Sequence, residues 1–454
     1  MDGGRYDHPV AARECNYAKT DDGVYLAYQL IGDGPIDILY QPDWPGNIDM
    51  EWEWPAFAAL LDGLGTFARV IMHEHRGVGL SSRNVPIPNL ETRVDDAQTV
   101  LDAVGAAQAV LFGYLAAGSV NALLSVTRPE RISGLVWLDP IARTAWAPDN
   151  PWGRTAEQLL AEEPSIRSWG TSAHGRDYAK EQEAYGSPIA ESEEALFSKA
   201  SRNACTPDVA LDLKRMWDET DVRNILPTIA VPTLCLAQTA DVEVGRARQI
   251  AAMIPRAELR EIPGEPWTVP TMMSIVDEIR RFVGVERPPV ELDTLVSTVL
   301  FTDVVDSTII QARLGDAAWK SLVERHHALV RQSLGRWQGV ENDTAGDGFY
   351  ATFDGPARAI RCALEIAGRV REIGFEVRAG VHTGECTMVD GKVGGIGVSI
   401  GSRIAGLAEP SQVLVSQTVK DLVAGSRLAF TDAGEHELKG IAARWRLFTA
   451  SDGA

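Results

Sequence analysis

Thr344-Ala345-Gly346-Asp347-Gly348-Phe349 sets one carboxylate between two glycines inside a strand-turn-strand pattern that continues through Tyr350-Ala351-Thr352-Phe353. Glycine on both sides permits a tight turn and leaves no side chain to crowd a ligand. About forty residues earlier, Val296 to Val305 is a β-branched, apolar run with the signature of a buried strand, and Asp303 lies near its end. If the two strands pair, Asp303 and Asp347 lie side by side. Two carboxylates on rigid neighbouring strands suit a pair of divalent cations that hold a triphosphate and activate a hydroxyl. Taken singly, Asp303 reads as a strand end and Asp347 as a turn acid, and the residues alone leave both readings open.

Working outward, Asp306-Ser307-Thr308 offers N-cap oxygens for a helix continuing to about Trp337. Pro356 to Ile373 is an amphipathic helix with Ala359, Cys362, Ala363, Ile366 and Val370 inward, and Phe375 to Val381, Gln412 to Ser416 and Trp445 to Phe448 read as strands. Alternating elements with hairpins predict a ferredoxin-like α+β domain over residues 295–454.

Upstream, strands at Val24–Tyr28, Ile36–Tyr40, Ala68–Met72, Ala109–Phe112, Leu135–Asp139 and Pro232–Ala237 alternate with helical patterns, which predicts an α/β domain with a parallel sheet over residues 1–284. Glu157 to Arg223 is charged and helical in pattern, a cap spanning about 145–227, and residues 285–294 form a short, Pro-containing linker. Two domains suit 454 residues.

A net charge of −20 argues against a general binder of nucleic acid or anionic membrane. Cys15, Cys205, Cys235, Cys362 and Cys386 are odd in number and lack C-x-x-C spacing, as reduced thiols in a cytoplasm would be. Met1 to Val10 is polar and no run approaches a membrane span, so the expected location is cytoplasmic.

From about Leu295 to Ala450 the chain resembles the class III nucleotidyl cyclase catalytic domain. The matching words, in order, are Phe301-Thr302-Asp303-Val304-Val305-Asp306-Ser307-Thr308, Ala345-Gly346-Asp347-Gly348-Phe349, Arg378-Ala379-Gly380-Val381-His382-Thr383-Gly384, Gly401-Ser402-Arg403 and Glu437-Leu438-Lys439-Gly440. The resemblance implies that Asp303 and Asp347 hold two Mg²⁺ or Mn²⁺ ions. It assigns Arg403 to the charge developing on the α-phosphoryl group, and Lys439, assisted by Arg378, to the terminal phosphates. The family's ribose-positioning asparagine is Ser399 here, which keeps a hydrogen-bonding group of shorter reach. The base-reading lysine and aspartate of the best-known adenylyl cyclases are replaced by Asp343 and Lys392, a reversal of charge. Because the family draws its metal acids and its arginine from different subunits, a homodimer is implied. The expected activity is conversion of ATP to cyclic AMP and pyrophosphate. The alternatives are a guanylyl or relaxed-specificity cyclase, or a weakly active nucleotide-binding regulator.

Tyr25 to Val283 resembles the α/β-hydrolase fold, the word Arg76-Gly77-Val78-Gly79-Leu80-Ser81 being typical of the hydrolase-like domains fused to cyclases. That family's G-x-S-x-G elbow is Gly113-Tyr114-Leu115-Ala116-Ala117 here, with Leu115 at the nucleophile position. An acid stands at Asp241, but the histidine position holds Trp267. Leucine and tryptophan can neither attack nor transfer a proton, so ester hydrolysis by this route is excluded, and Ser119, just past the elbow, reads as structural. Trp44, Trp52, Trp54, Trp137, Trp146 and Trp267 with Leu115 suit a pocket for an apolar ligand as well as they suit a core.

Overall fold

The computed structural model describes residues 14–42, 46–184, 189–239, 244–284, 294–389, 392–441 and 444–453. Asp241, Trp44 and the linker 285–293 lie outside the described residues, as does the side chain of Lys392.

The first sheet is built from β1 (Asn16–Lys19), β2 (Tyr25–Ile31), β3 (Asp37–Gln41), β4 (Arg69–His73), β5 (Ala109–Tyr114), β6 (Ile132–Leu138), β7 (Thr233–Gln238) and β8 (Ala257–Ile262). Their spatial order is β1-β2-β4-β3-β5-β6-β7-β8. From β4 to β8 the pairing is parallel, whereas β1 and β2 join antiparallel at one edge. The apolar inner strands were legible. The edge strands β1 and β8 were not, because Asn16, Lys19, Glu258 and Arg260 interrupt any apolar run; edge strands keep one side in water. The helices around this sheet are α1 (Pro55–Gly65), α2 (Leu90–Ala103), α3 (Gly118–Thr127), the cap helices α4 (Ala156–Arg167), α5 (Ser172–Ala184), α6 (Glu191–Ala204) and α7 (Pro207–Glu219), then α8 (Val244–Met253) and α9 (Val269–Val283). Apolar cores cover both faces: Leu60, Leu64, Ile275 and Ile279 of α1 and α9 on one side, Val94, Val120 and Leu124 of α2 and α3 on the other.

The second sheet contains β9 (Thr294–Val304), β10 (Val340–Ala345), β11 (Gly348–Phe353), β12 (Val377–Val389), β13 (Lys392–Gly394), β14 (Val413–Ser416), β15 (Leu428–Glu437) and β16 (Arg444–Asp452). The order is β10-β11-β9-β12-β14-β16-β15, with β13 paired to β12. Its helices are α10 (Ser307–Leu314), α11 (Asp316–Arg336), α12 (Pro356–Val370), α13 (Ile396–Leu407) and α14 (Gln417–Leu422). The single helix expected up to Trp337 is broken at Gly315, whose φ of +77° belongs to the left-handed region. The α12 face buries Ala359, Cys362, Ala363, Ile366 and Val370 against β9 and β12, as its periodicity requires.

The two units are packed together rather than merely tethered. Val296 of β9 and Leu422 of α14 belong to the same buried cluster as Leu213, Met216 and Ile225 of the first unit. Gly425, at φ +78°, sits with its Cα face against Met216, where an added Cβ would come within 3.0 Å of Met216 Cγ. At the start of α12, Glu91 of α2 accepts the Ala357 N–H at 2.9 Å and lies 3.0 Å from Arg358 Nε, while Arg358 Nη1 reaches Asp95 at 2.7 Å. Burial pushes the Glu91 carboxyl up to about 7, although the Arg358 charge pulls the other way.

Candidate active site

Pairing of β11 with β9 in the register Phe349↔Thr302 sets Asp347 opposite Val304, beside Asp303. The turn needs Gly346, at φ +66°. Asp347 Oδ2 accepts the Val304 N–H at 3.3 Å. On the other flank, β12 pairs with β9 so that Arg378 stands directly across from Asp303, and its Nη2 and Nε donate to Asp303 Oδ2 at 2.6 and 3.0 Å. Asp303 on β9, Arg378 on β12 and Asp347 in the turn that enters β11 are therefore neighbours.

The turn is held from behind by α11. His326 Nε2 meets the Asp347 carbonyl at 3.1 Å and His327 Nε2 meets the Gly346 carbonyl at 2.9 Å. A carbonyl only accepts, so each Nε2 carries the proton. Burial lowers the His326 pKa to about 4, which keeps that ring neutral. Arg331 makes a two-pronged bond to Glu341 (both 2.8 Å), and Thr344 Oγ1 donates to the same carboxylate at 2.6 Å, bracing β10. None of these braces was anticipated. The signal was the His326-His327 pair in the helix preceding the hairpin.

The remaining expected residues lie elsewhere. Helix α13 presses onto the sheet through Gly401, where a Cβ would meet Val299 at 2.4 Å, and through Gly380, whose Cβ would meet the Ala405 nitrogen at 2.2 Å. Arg403 projects from it into solvent and donates from Nε to the Lys439 carbonyl at 3.3 Å, so these two are brought together. Ser399 is exposed, with its hydroxyl 3.4 Å from the Gly395 carbonyl. Asp343 is exposed on β10 and accepts the Thr344 N–H at 3.1 Å. Among the described residues, no hydrogen bond or ion pair joins Arg403 or Lys439 to Asp303 or Asp347.

In the first unit the elbow backbone survives without its serine. Leu115 holds φ at +50°, a left-handed conformation unfavourable for leucine, and its carbonyl accepts the Trp137 indole N–H at 2.7 Å. The conformation is pinned by close approach: a Cβ on Gly118 would lie 2.0 Å from Trp137 Nε1. Trp267 also sits at positive φ (+57°) and stacks on Phe57, with Tyr114 edge-on, each pair of centroids 5.7 Å apart. Ser119 donates to the Ile141 carbonyl at 3.1 Å and is buried, as a structural serine would be. Above these residues and beneath α4–α7 lies a cavity of about 1060 Å³.

Residues 293–449 match the family described as the adenylate and guanylate cyclase catalytic domain. The C-terminal unit is a class III cyclase catalytic domain. A candidate adenylate cyclase 3 of Rhizobium meliloti is 27% identical over 154 residues, which are 32% of this chain and 26% of that protein. The chain thus spans about a quarter of that relative's length. A candidate carbamate hydrolase, RutD, of Caulobacter sp. is 27% identical over 257 residues, covering 52% of this chain and 92% of the relative. The esterase of Exiguobacterium antarcticum aligns with 60% of this chain and 99% of its own at a TM-score of 0.50 and 17% identity, a likeness of fold alone. The chain therefore fuses an α/β-hydrolase-like unit to a cyclase domain.

The donor set of the cyclase domain fits a hard divalent ion: one carboxylate on a strand and one in the adjoining turn, with oxygen ligands only. Among the described residues no cluster of three or more His, Cys, Asp or Glu side chains could hold an ion, so further oxygen ligands would have to come from outside these side chains. No described helix is long and apolar enough to cross a membrane. In the hydrolase-like unit, restoring the serine should not restore chemistry. An L115S chain is expected to turn over p-nitrophenyl esters at the buffer rate, because Trp267 supplies no base; measurable hydrolysis above buffer would show that another side chain serves.

Proposed function

We propose that this chain is an adenylyl cyclase that converts ATP to cyclic AMP and pyrophosphate at two sites shared across a homodimer. The observation that carries the reading is the separation within one chain of Asp303, Asp347 and Arg378 from Arg403 and Lys439. Antiparallel association of two cyclase domains would bring the second group of one chain over the first group of the other. Mg²⁺ or Mn²⁺, bound by Asp303 and Asp347, would supply charge neutralisation for the triphosphate and acidify the ribose 3′-hydroxyl. Arg378 would leave Asp303 for the phosphate oxygens, exchanging one anionic partner for another. Arg403 presents a planar fork of donors suited to the charge growing on the α-phosphoryl oxygens, and Lys439 a point charge for the terminal phosphates. Ser399 would hydrogen-bond the ribose.

Asp343 can accept from the exocyclic amino group of adenine, although guanine offers the same carboxylate its N1–H and amino donors. A guanylyl or relaxed-specificity enzyme is the second reading, motivated by the reversed charges at Asp343 and Lys392. Purified chain assayed with ATP and GTP, each with Mg²⁺ and Mn²⁺, separates them: cyclic AMP should dominate, and equal or greater cyclic GMP would remove the adenylyl assignment.

The hydrolase-like unit is assigned a ligand-sensing, regulatory role. Its support is the position of α7, which lines the cavity with Lys214, Trp217 and Asp218 and, through Met216, touches Gly425 of the cyclase domain. A change at the cavity wall is therefore one helix away from the catalytic unit. Removing residues 1–285 should change turnover or dimerisation, and a truncated chain equal to the full one in both would end the regulatory reading.

A further inference from the structure

We propose that the cavity of the hydrolase-like unit binds a protonated amine attached to an aromatic or other apolar body, with Glu51 as its counter-ion. This deepens the sensing role given above, on which its regulatory consequence rests.

Four Lys and Arg side chains among the described residues line the cavity, and each is already engaged. Arg143 pairs with Asp221 at 3.0 Å, Arg154 with Glu162 at 2.9 Å and Glu181 at 3.3 Å, and Lys214 with Asp218 at 2.5 Å and Glu162 at 3.2 Å. Arg246 donates to the Pro140 carbonyl at 2.8 Å. An anionic ligand would have to share or displace a partner each of these groups already holds. Glu51 lines the same cavity, and while its backbone bonds Asn47 and Trp54, its carboxyl makes no hydrogen bond or ion pair to any described residue. Burial pushes its carboxyl up to about 7, and the charge acting on it is that of another acid, Glu74, which already accepts the N–H groups of Ile48, Leu80 and Ser81. A half-buried carboxylate facing a second acid and no cation is unfavourable, and a cation brought by a ligand relieves that cost.

The cavity wall continues from Glu51 through Trp54 to Phe57, and from Phe57 to the packed rings of Tyr114 and Trp267. Aromatic faces attract ammonium groups as well as apolar rings. The apex residue Leu115 and the triad position Trp267 thus replace reactive groups by surface that binds without reacting. A ligand here would be retained rather than consumed, as a sensor requires.

The test is calorimetric titration of the full-length chain with three probes of one shape: phenethylamine, phenethyl alcohol and 3-phenylpropionate. The amine should bind at least about tenfold more tightly than the alcohol, and the carboxylate more weakly than either. E51Q should lower the amine to the alcohol's affinity while the alcohol still binds, which also establishes that the variant is folded. Equal affinity for amine and alcohol, an amine preference that survives in E51Q, or no binding of any probe would overturn the proposal. Cyclase turnover measured with saturating amine keeps the two claims apart: amine binding through Glu51 with turnover unchanged supports this site and removes the sensing role.

Discussion

An Asp303→Ala chain is expected to lose nucleotide cyclisation by about a thousandfold or more, and an Arg403→Ala chain by about a hundredfold, in line with removal of a group that meets developing charge directly. The larger prediction concerns their mixture. Asp303 lies on β9 beside Asp347, while Arg403 lies on α13 facing solvent with Lys439. If each site draws on both chains, a heterodimer of the two variants contains one site with both defects and one with neither. Random reassociation of equal amounts makes half the dimers heterodimeric, each with one sound site of two, so activity should recover to about a quarter of the unmutated level. Measuring cyclic AMP from separate and mixed chains decides the matter. A mixture no more active than its components would mean that sites are not shared.

The second large effect is expected at the seam between the units. Glu91 and Arg358 are both largely buried, with side chains 8% and 18% exposed. Their approach leaves no slack, since a Cβ on Gly355 would lie 2.0 Å from Glu91 Cδ. Removing Glu91 strips the Ala357 N–H of its acceptor and leaves the Arg358 guanidinium with Asp95 alone. Breaking a buried pair in this way costs about 3 kcal/mol, mainly because one charge stays buried without its partner. E91A should therefore destabilise the full chain by about that much in urea unfolding, whereas E91A/R358A should cost at least about 1 kcal/mol less than the sum of the single changes. Sums that add within about 0.5 kcal/mol would show that the two side chains act independently.

What could be read along the chain was whatever is encoded in consecutive residues. The strands β5, β6, β7 and β9 announce themselves as apolar runs because both their faces are covered. The α12 helix shows its inward face through spacing, and Gly346-Asp347-Gly348 shows a turn that presents an acid. The edge strands β1, β8 and β15 escaped because solvent on one side permits polar residues there. The helix break at Gly315 escaped because one glycine in a periodic segment does not reveal its φ. The clamp of His326 and His327 on the turn carbonyls could not be read, since it joins side chains of one element to the backbone of another.

By itself, then, the sequence determined which chemistry is available: a paired-carboxylate turn in one unit and an elbow without serine or histidine in the other. Only the tertiary structure decided what those residues meet. Strand register put Arg378 on Asp303 and set Asp347 against Val304. Packing of α2 on α12 and of α7 on Gly425 joined the two units through buried contacts. The physical reason is that hydrophobic spacing is a local property, whereas the partner of a buried charge is chosen by whichever distant segment folds against it.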